Sequence, residues 1–445
     1  MTSLPVRFAA CLVCCAFAAG PAGAVDEPLE ASIADDYDQY LEALFVHFHR
    51  NPELSNLEVE TARRMAEELR AIDFEVTEGI GGTGVAALME NGPGPVVMVR
   101  ADMDGLPIRE ESGLDYASTV TQVDESGVEQ PVMHACGHDV HITALLGTAR
   151  QMARRRDEWS GTLMLVVQPA EERISGARAM MEDGLYERIA KPDYALAFHV
   201  DADERAGKVY FPLSVVASSA DSVDIRVRGV GTHGAYPHMG VDPVLVAAQI
   251  VVSLQSLVSR TLPPLEAGVI TVGAINGGSK HNIIGDHVDL QLTVRSDSPE
   301  TRMQLLDGID RVARGVALSL NVPEDLLPEV RRSSVESTPP TINNRDLVER
   351  VGAALSRDME IDVSEYERTG MGAEDFSYFV QPETDVPGLY FGVGGTAPEN
   401  MDNPTPHHSP LFRIEPEPSI RAGVETSVRA AMMLMPVGAD TGSAR

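Results

Sequence analysis

Three short apolar runs, each ending in acid or imidazole, constrain this chain more than anything else in it. Val96-Val-Met-Val99 leads into Arg100-Ala-Asp-Met-Asp104, Leu163-Met-Leu-Val-Val167 into Gln168-Pro-Ala-Glu-Glu172, and Tyr194-Ala-Leu-Ala-Phe198 into His199. Apolar runs of this length, bounded by turns and separated by helical segments, predict strands buried on both faces of a mostly parallel sheet. Ligands bind beyond the carboxyl ends of the strands in such sheets. The metal-binding and proton-transferring side chains here stand at that edge, so they are expected to converge.

One stretch concentrates the chemistry further. His134-Ala-Cys-Gly-His-Asp-Val-His141 holds three histidines, a cysteine and an aspartate, all side chains that bind borderline-soft divalent metals. Ile142, Leu145, Leu146, Ala149 and Met152 follow at helical spacing, which predicts a loop running into a helix.

At 445 residues the chain exceeds one ordinary core, and two domains are expected. From Ser219 the pattern changes to an alternating strand over Val223 to Val227. A glycine-bearing loop with His233 and His238 follows, then a helix over Pro243 to Val258 and a strand over Gly268 to Ala274. A second alternating strand over Val288 to Val294 and a helix over Thr301 to Ser319 complete the run. That order predicts a smaller α+β unit of ferredoxin-like type inserted over residues 219–327. The larger α/β unit, a mostly parallel sheet covered by helices, is then split between residues 25–218 and 328–436, with a frayed tail over 437–445. Within it, residues 33–50 read as a helix, and Ser55 with Glu58 reads as a capping box for the next one.

Acidic residues outnumber basic ones by 67 − 35 = 32, which argues against nucleic-acid binding. Arg7, the apolar run Phe8 to Ala19 and the small residues Ala22 and Ala24 have the layout of a secretory signal over residues 1–24, too short for a stable span. Export to the periplasm or medium, without stable membrane insertion, is the expectation. Cys11, Cys14 and Cys15 would leave with the signal, so Cys136 would be a lone thiol in an oxidising compartment; metal ligation is one explanation, and a buried, inert cysteine is the blander one, which its polar neighbours disfavour.

A hydrolytic metal site needs ligands, an open position and a base. Glu171 and Glu172 point in different directions from adjacent positions, so one can bind metal while the other accepts a proton from water. The blander reading is a solvated acidic turn; the apolar strand before it and Pro169 favour the functional one. His199, at a strand end, reads as a ligand, and of the His407-His408 pair only His408 does. His134 and His141 flank the cluster and can support it from behind. His47, His49, His238, His281 and His287 read as structural.

Seven blocks in register carry a resemblance: Asp102-Met-Asp104, His134 to His141, Gln168 to Glu172, Phe198-His199, Thr232-His-Gly-Ala-Tyr-Pro-His238, Gly372-Ala-Glu-Asp-Phe376 and His408-Ser-Pro410. They resemble the amidohydrolase branch of the cocatalytic metallopeptidase family that includes aminoacylases and carboxypeptidase G, a match that covers nearly the whole mature chain, from about residue 33 to 435. Hippurate hydrolase, N-acyl-amino-acid amidohydrolases and the indole-acetyl-amino-acid hydrolases of plants lie in that branch. The resemblance implies two divalent ions, zinc, manganese, cobalt or nickel, held by Cys136, His138, Glu172, His199 and His408. It implies Glu171 as general base, Asp104 orienting a ligand, and His233 stabilising the oxyanion in the partner subunit of a homodimer. Asn282 and Arg295 match positions in the inserted unit, and Glu374 and Asp375 fall at the substrate end. Here Asn282-Ile-Ile is followed by Gly285, where the family often has proline.

The expected reaction is metal-dependent hydrolysis of a small N-acyl amino acid. A dipeptidase or carboxypeptidase of the same fold is the near rival. A cysteine hydrolase using Cys136 with His138 or His141, and a metal-dependent binding protein without turnover, are rivals from other classes.

Overall fold

The computed structural model describes residues 27–365 and 368–438. The expected signal over 1–24, with Cys11, Cys14 and Cys15, and the tail from residue 439 lie outside the described residues.

The chain enters through α1 (Leu29–Asp36), a π-helical stretch over Tyr37–Leu41, and α2 (Glu42–Arg50), followed by α3 (Val59–Arg70). Strands β1 (Glu75–Ile80), β2 (Gly84–Asn91) and β3 (Val96–Asp102) lead to a small hairpin, β4 (Thr121–Val123) and β5 (Glu129–Pro131). Helix α4 (His138–Arg154), β6 (Gly161–Gln168), α5 (Gly176–Glu182), α6 (Leu185–Arg188), β7 (Tyr194–Arg205), β8 (Val209–Pro212) and β9 (Val215–Ala217) complete the first part. The insertion holds β10 (Ala220–Arg228), β11 (Thr232–His233), α7 (Pro243–Ser256), β12 (Gly268–Gly277), β13 (Ile283–Ile284), β14 (His287–Ser296), α8 (Pro299–Ser319) and β15 (Glu329–Thr338). The second part returns with β16 (Thr341–Ile342), α9 (Arg345–Leu355), β17 (Ile361–Ser364), α10 (Ser377–Val380), β18 (Gly388–Thr396) and α11 (Pro416–Leu434).

Eight strands form the large sheet in the order β1-β2-β6-β3-β7-β18-β8-β17, with parallel pairing through its centre, β6-β3-β7-β18. The central strands open with continuous apolar runs because both their faces are covered. Val97, Val99, Leu163, Leu165 and Leu196 face the core shared with α1 to α4, α9 and α11. Met98, Met164, Val166, Ala195 and Ala197, the alternate residues, face α5 and α10. Strand β7 does not stop at His199 but continues to Arg205, paired with β18, so His199 leaves the sheet face mid-strand.

The insertion has the ferredoxin-like order β12-β14-β10-β15, with α7 and α8 on one face and their own apolar core. Its expected end at residue 327 falls short. Strand β15 pairs with β10 along Glu329 to Thr338 and closes the sheet. The Ser55–Glu58 capping box is also absent, since Glu58 is the N-cap of α3 and its side chain makes no cap bond.

Candidate active site

The site grows from three turns at the end of the parallel strands. The first is the approach to α4. Gly137 has φ 85°, and a Cβ there would lie 2.3 Å from Val200 Cγ1, so hand and space both require glycine. This turn sets Cys136 just before the helix and His138 on its first residue. The cluster is therefore half loop and half helix, with Asp139 and His141 inside α4, which is buried nearly all round.

The second turn follows β6. Ala170 (φ 47°) and Ile174 (φ 46°) bracket a single turn that holds Glu171 and Glu172. Asp104, from the third turn, accepts the backbone N–H of Glu171 at Oδ1 and that of Glu172 at Oδ2, each at 3.1 Å. The same carboxylate lies 3.2 Å from His138 Nδ1 and accepts the Ser55 hydroxyl at 2.6 Å. One acid thus orients an imidazole and the loop opposite it.

Five separated side chains gather here. Cys136 Sγ lies 3.4 Å from His199 Nε2, and His408 Nε2 lies 3.3 Å from Glu172 Oε2. His138 Nε2 is 4.0 Å from Glu172 Oε1 and 3.9 Å from Glu171 Oε2. The donors fall into two sets, Cys136/His138/His199 and Cys136/Glu172/His408, the atoms of each within 4.8 Å of one another, so the sulfur is common to both. His199 Nδ1 donates to the Val200 carbonyl at 2.6 Å, which leaves the Nε2 lone pair facing that sulfur. His138 Nε2 and Glu172 Oε1 are buried and have no hydrogen-bond partner among the described residues. Thiolate, imidazole and carboxylate around orphaned buried donors fit a divalent cation pair.

Electrostatics agrees. Burial, with Glu374, Glu172, Asp375 and Asp102 nearby, holds the Glu171 carboxyl well above the usual carboxylate range. Burial, reinforced by Glu172 and Glu171, pushes the Cys136 thiol up. Burial opposes charge on His138 as well, yet Asp102, Asp104 and Glu172 outweigh it and raise the ring to about 10. A pocket whose carboxylates outweigh burial at an imidazole is one that attracts positive charge.

Other residues take definite places. His141 donates from Nδ1 to Asp102 Oδ1 at 2.6 Å and accepts the Val200 N–H at Nε2, so neither nitrogen is open to a ligand. His407 accepts the Ala202 N–H at Nε2, and it is His408 whose Nε2 groups with Glu172 and Cys136. His134 is buried with no partner among the described residues, and burial lowers it to about 4. Glu374 borders the cleft, but its carboxylate is spent on Arg100, the Tyr390 hydroxyl and the Phe376 N–H. Asp375 receives Gln168 Nε2 at 2.6 Å and the Ala177 N–H at 2.9 Å.

The cleft encloses about 570 Å³ and is lined by Cys136, Glu171, Glu172, His199, Tyr210 and His408, with Arg295 contributed by the insertion. Arg295 has no carboxylate partner among the described residues. His233 and Asn282 lie on the insertion outside this lining, with His233 exposed and Asn282 Oδ1 buried without a partner among the described residues. Two features escaped sequence reading. Arg100 is wholly buried against Asp102, Glu374 and Asp375 beneath the site. Tyr210 covers Gly392, where a Cβ would come within 2.0 Å of its ring. A buried arginine inside an apolar strand was the available signal for the first; nothing in the sequence marked the second.

Comparison with known proteins places the chain in a family. A family model described as peptidase family M20/M25/M40 matches residues 98–433. The chain is 33% identical over 377 residues to thermostable carboxypeptidase 2 of Saccharolobus solfataricus, covering 82% of this chain and 88% of that one. It is 35% identical over 336 residues to hippurate hydrolase of Campylobacter jejuni, covering 75% and 83%. The crystal structure of the YXEP protein of Bacillus subtilis, a dinuclear metal binding peptidase, is similar with a TM-score of 0.71 and 26% identity over 89% of this chain and 98% of that one.

Proposed function

Since the chain belongs to peptidase family M20/M25/M40 and is a metal-dependent hydrolase, we propose that it cleaves the amide of N-acyl amino acids, releasing a carboxylic acid and a free amino acid. The observation that carries this reading is the shared Cys136 sulfur, with Glu171 next to ligand Glu172 and facing His138. Cys136, His138, Glu172, His199 and His408 would hold two divalent ions. Thiolate and imidazole favour zinc, and the carboxylates also suit manganese, cobalt or nickel. Bound there, such ions supply Lewis acidity toward a carbonyl and acidify water.

Glu171 does the proton work. Its carboxylate takes a proton from the attacking water as the C–O bond forms and delivers it to the amine nitrogen as the C–N bond breaks. A carboxyl raised by burial takes up that proton more readily than an exposed one. Arg295, cationic and without a carboxylate partner among the described residues, suits the substrate carboxylate. Asp104 keeps His138 and the Glu171–Glu172 backbone in register. The insertion supports a homodimer in which His233 of the partner subunit reaches the oxyanion, since His233 lies outside its own cleft lining. The layout of residues 1–24 supports export, with a mature chain starting at Val25 as the result to look for.

The carboxypeptidase among the relatives keeps the peptidase reading alive as the second one. Initial rates on benzoyl-glycine and acetyl-amino acids against dipeptides separate the two: the acyl substrates should be favoured at least tenfold in kcat/KM, and a preference for dipeptides would reject the assignment. Glu171→Gln should retain metal but lose about a thousandfold or more in kcat, a range common for a proton-transfer group. Wild-type turnover in that variant would remove Glu171 as base, and a wild-type protein inert on every amide would favour a binding role. A Cys136 nucleophile is disfavoured because its sulfur is shared by the two donor sets Cys136/His138/His199 and Cys136/Glu172/His408 and would be taken up by the ions.

A further inference from the structure

We propose that Glu58 is a positioning residue for the reaction, acting through the backbone of Ala170 to hold the turn that carries Glu171 and Glu172. This rests on the reading of Glu171 as the base. In sequence Glu58 looks like part of a helix cap, but its side chain turns away from α3 and toward the site. Its Oε1 accepts the backbone N–H of Ala170 at 2.8 Å and that of Asn56 at 2.9 Å, while Oε2 accepts the Thr83 hydroxyl at 2.6 Å. The side chain is fully buried.

The bond to Ala170 is the informative one. Ala170 occupies the left-handed region at φ 47°, which L side chains disfavour. Just downstream, a Cβ at Gly176 would collide with the Pro169 carbonyl at 1.6 Å, so the chain doubles back tightly around this turn. Three consecutive N–H groups therefore leave the turn toward two buried acids: Ala170 to Glu58, and Glu171 and Glu172 to Asp104. Remove the first and the turn loses the anchor at a left-handed residue immediately before the base.

A role in folding alone explains Glu58 poorly. A buried carboxyl near Asp104 is unfavourable on both solvation and charge, and an apolar side chain would fill the space at lower cost. What the carboxyl supplies is an acceptor at one fixed point in the loop. Glu58 belongs to neither candidate metal set, so its loss should leave the ions in place.

The test uses the full, metal-loaded enzyme with benzoyl-glycine as substrate. Glu58→Gln keeps an acceptor at Oε1 and can meet Thr83 with its amide. Glu58→Asp keeps the charge but withdraws it from Ala170. Glu58→Ala removes both. The expected kcat falls within about fivefold of wild type for Gln, and drops about a hundredfold for Asp and Ala, the scale of a small misplacement of a catalytic group. KM should stay within twofold and metal content unchanged. Thr83→Ala serves as control: it loosens the same carboxyl and lowers thermal stability, but should leave kcat within threefold. Wild-type kcat in Asp or Ala, or kcat losses in all four variants that simply track their melting temperatures, would overturn the proposal. If Ala does not fold, the order Gln above Asp decides. Glu171→Gln run alongside separates the two ideas: an active Glu171→Gln defeats the base, whereas an inert one beside an unimpaired Glu58→Asp defeats only the role given to Glu58.

Discussion

His49 shows how much one residue can hide in a sequence. Reading along the chain gives it no acidic company, yet its Nδ1 lies 2.7 Å from Asp139 and its Nε2 lies 3.1 Å from Glu110. Those partners stand 90 and 61 residues away, beyond any spacing rule. Burial works against a charged ring here, but the two carboxylates win and raise His49 to about 9 from 6.5. A raised histidine stabilises the fold fully below its unfolded value and loses that contribution as pH climbs through the folded one. Stability should therefore fall between pH 6.5 and pH 9, by about 3 kcal/mol from this ring. Thermal melts across that range should show the decline in wild type and a flatter profile in His49→Gln. A wild-type melting temperature unchanged over that interval would mean that the ring is not charged. By contrast, Cys136, His138 and Glu172 were legible because metal-binding side chains cluster locally or follow an apolar strand.

Elements were legible where one face is apolar. The central strands, α4, α7 and α8 all follow from periodicity. Strand β15 does not: Glu329-Val-Arg-Arg-Ser-Ser-Val-Glu-Ser-Thr338 has no apolar stripe, because it forms the largely exposed edge of the inserted sheet and owes its place to pairing with β10. Strand β12 forms the other edge, and it exposes Val269 and Ile275 beside Val244, Leu245 and Val252 of α7. From Pro243 to Thr261 this helix is long and apolar enough to cross a membrane, although its inner side packs on the sheet through Val246, Ile250 and Leu254. An uncovered strand edge with an apolar helix face alongside suits a second copy of the chain. Light scattering at micromolar concentration should give a dimer for wild type and a monomer for Val252→Glu. The monomer should also lose hydrolysis if His233 works across the interface. A monomeric wild type would reject both the dimer and the shared site.

Across the whole molecule, the topology performs the assembly. Parallel strands β3, β6 and β7 deliver Asp102 to Asp104, Glu171 with Glu172, and His199 to one end of the sheet, and α4 brings Cys136 and His138 to meet them. The segment after the insertion returns Glu374, Asp375 and His408 to the same end. That convergence was legible because the order of apolar runs fixes which ends coincide. The buried charge system beneath it was not: Arg100 meets Glu374 across 274 residues, and such pairings exist only once the fold does. The claim on which the rest depends is that one sulfur serves two cations. Metal analysis of the purified protein and of Cys136→Ala tests it most directly. Wild type should carry two divalent ions per chain, and the variant should fall to one or fewer, with its hydrolysis lost. A Cys136→Ala protein that keeps both ions, or a wild type that is fully active with none, would contradict it.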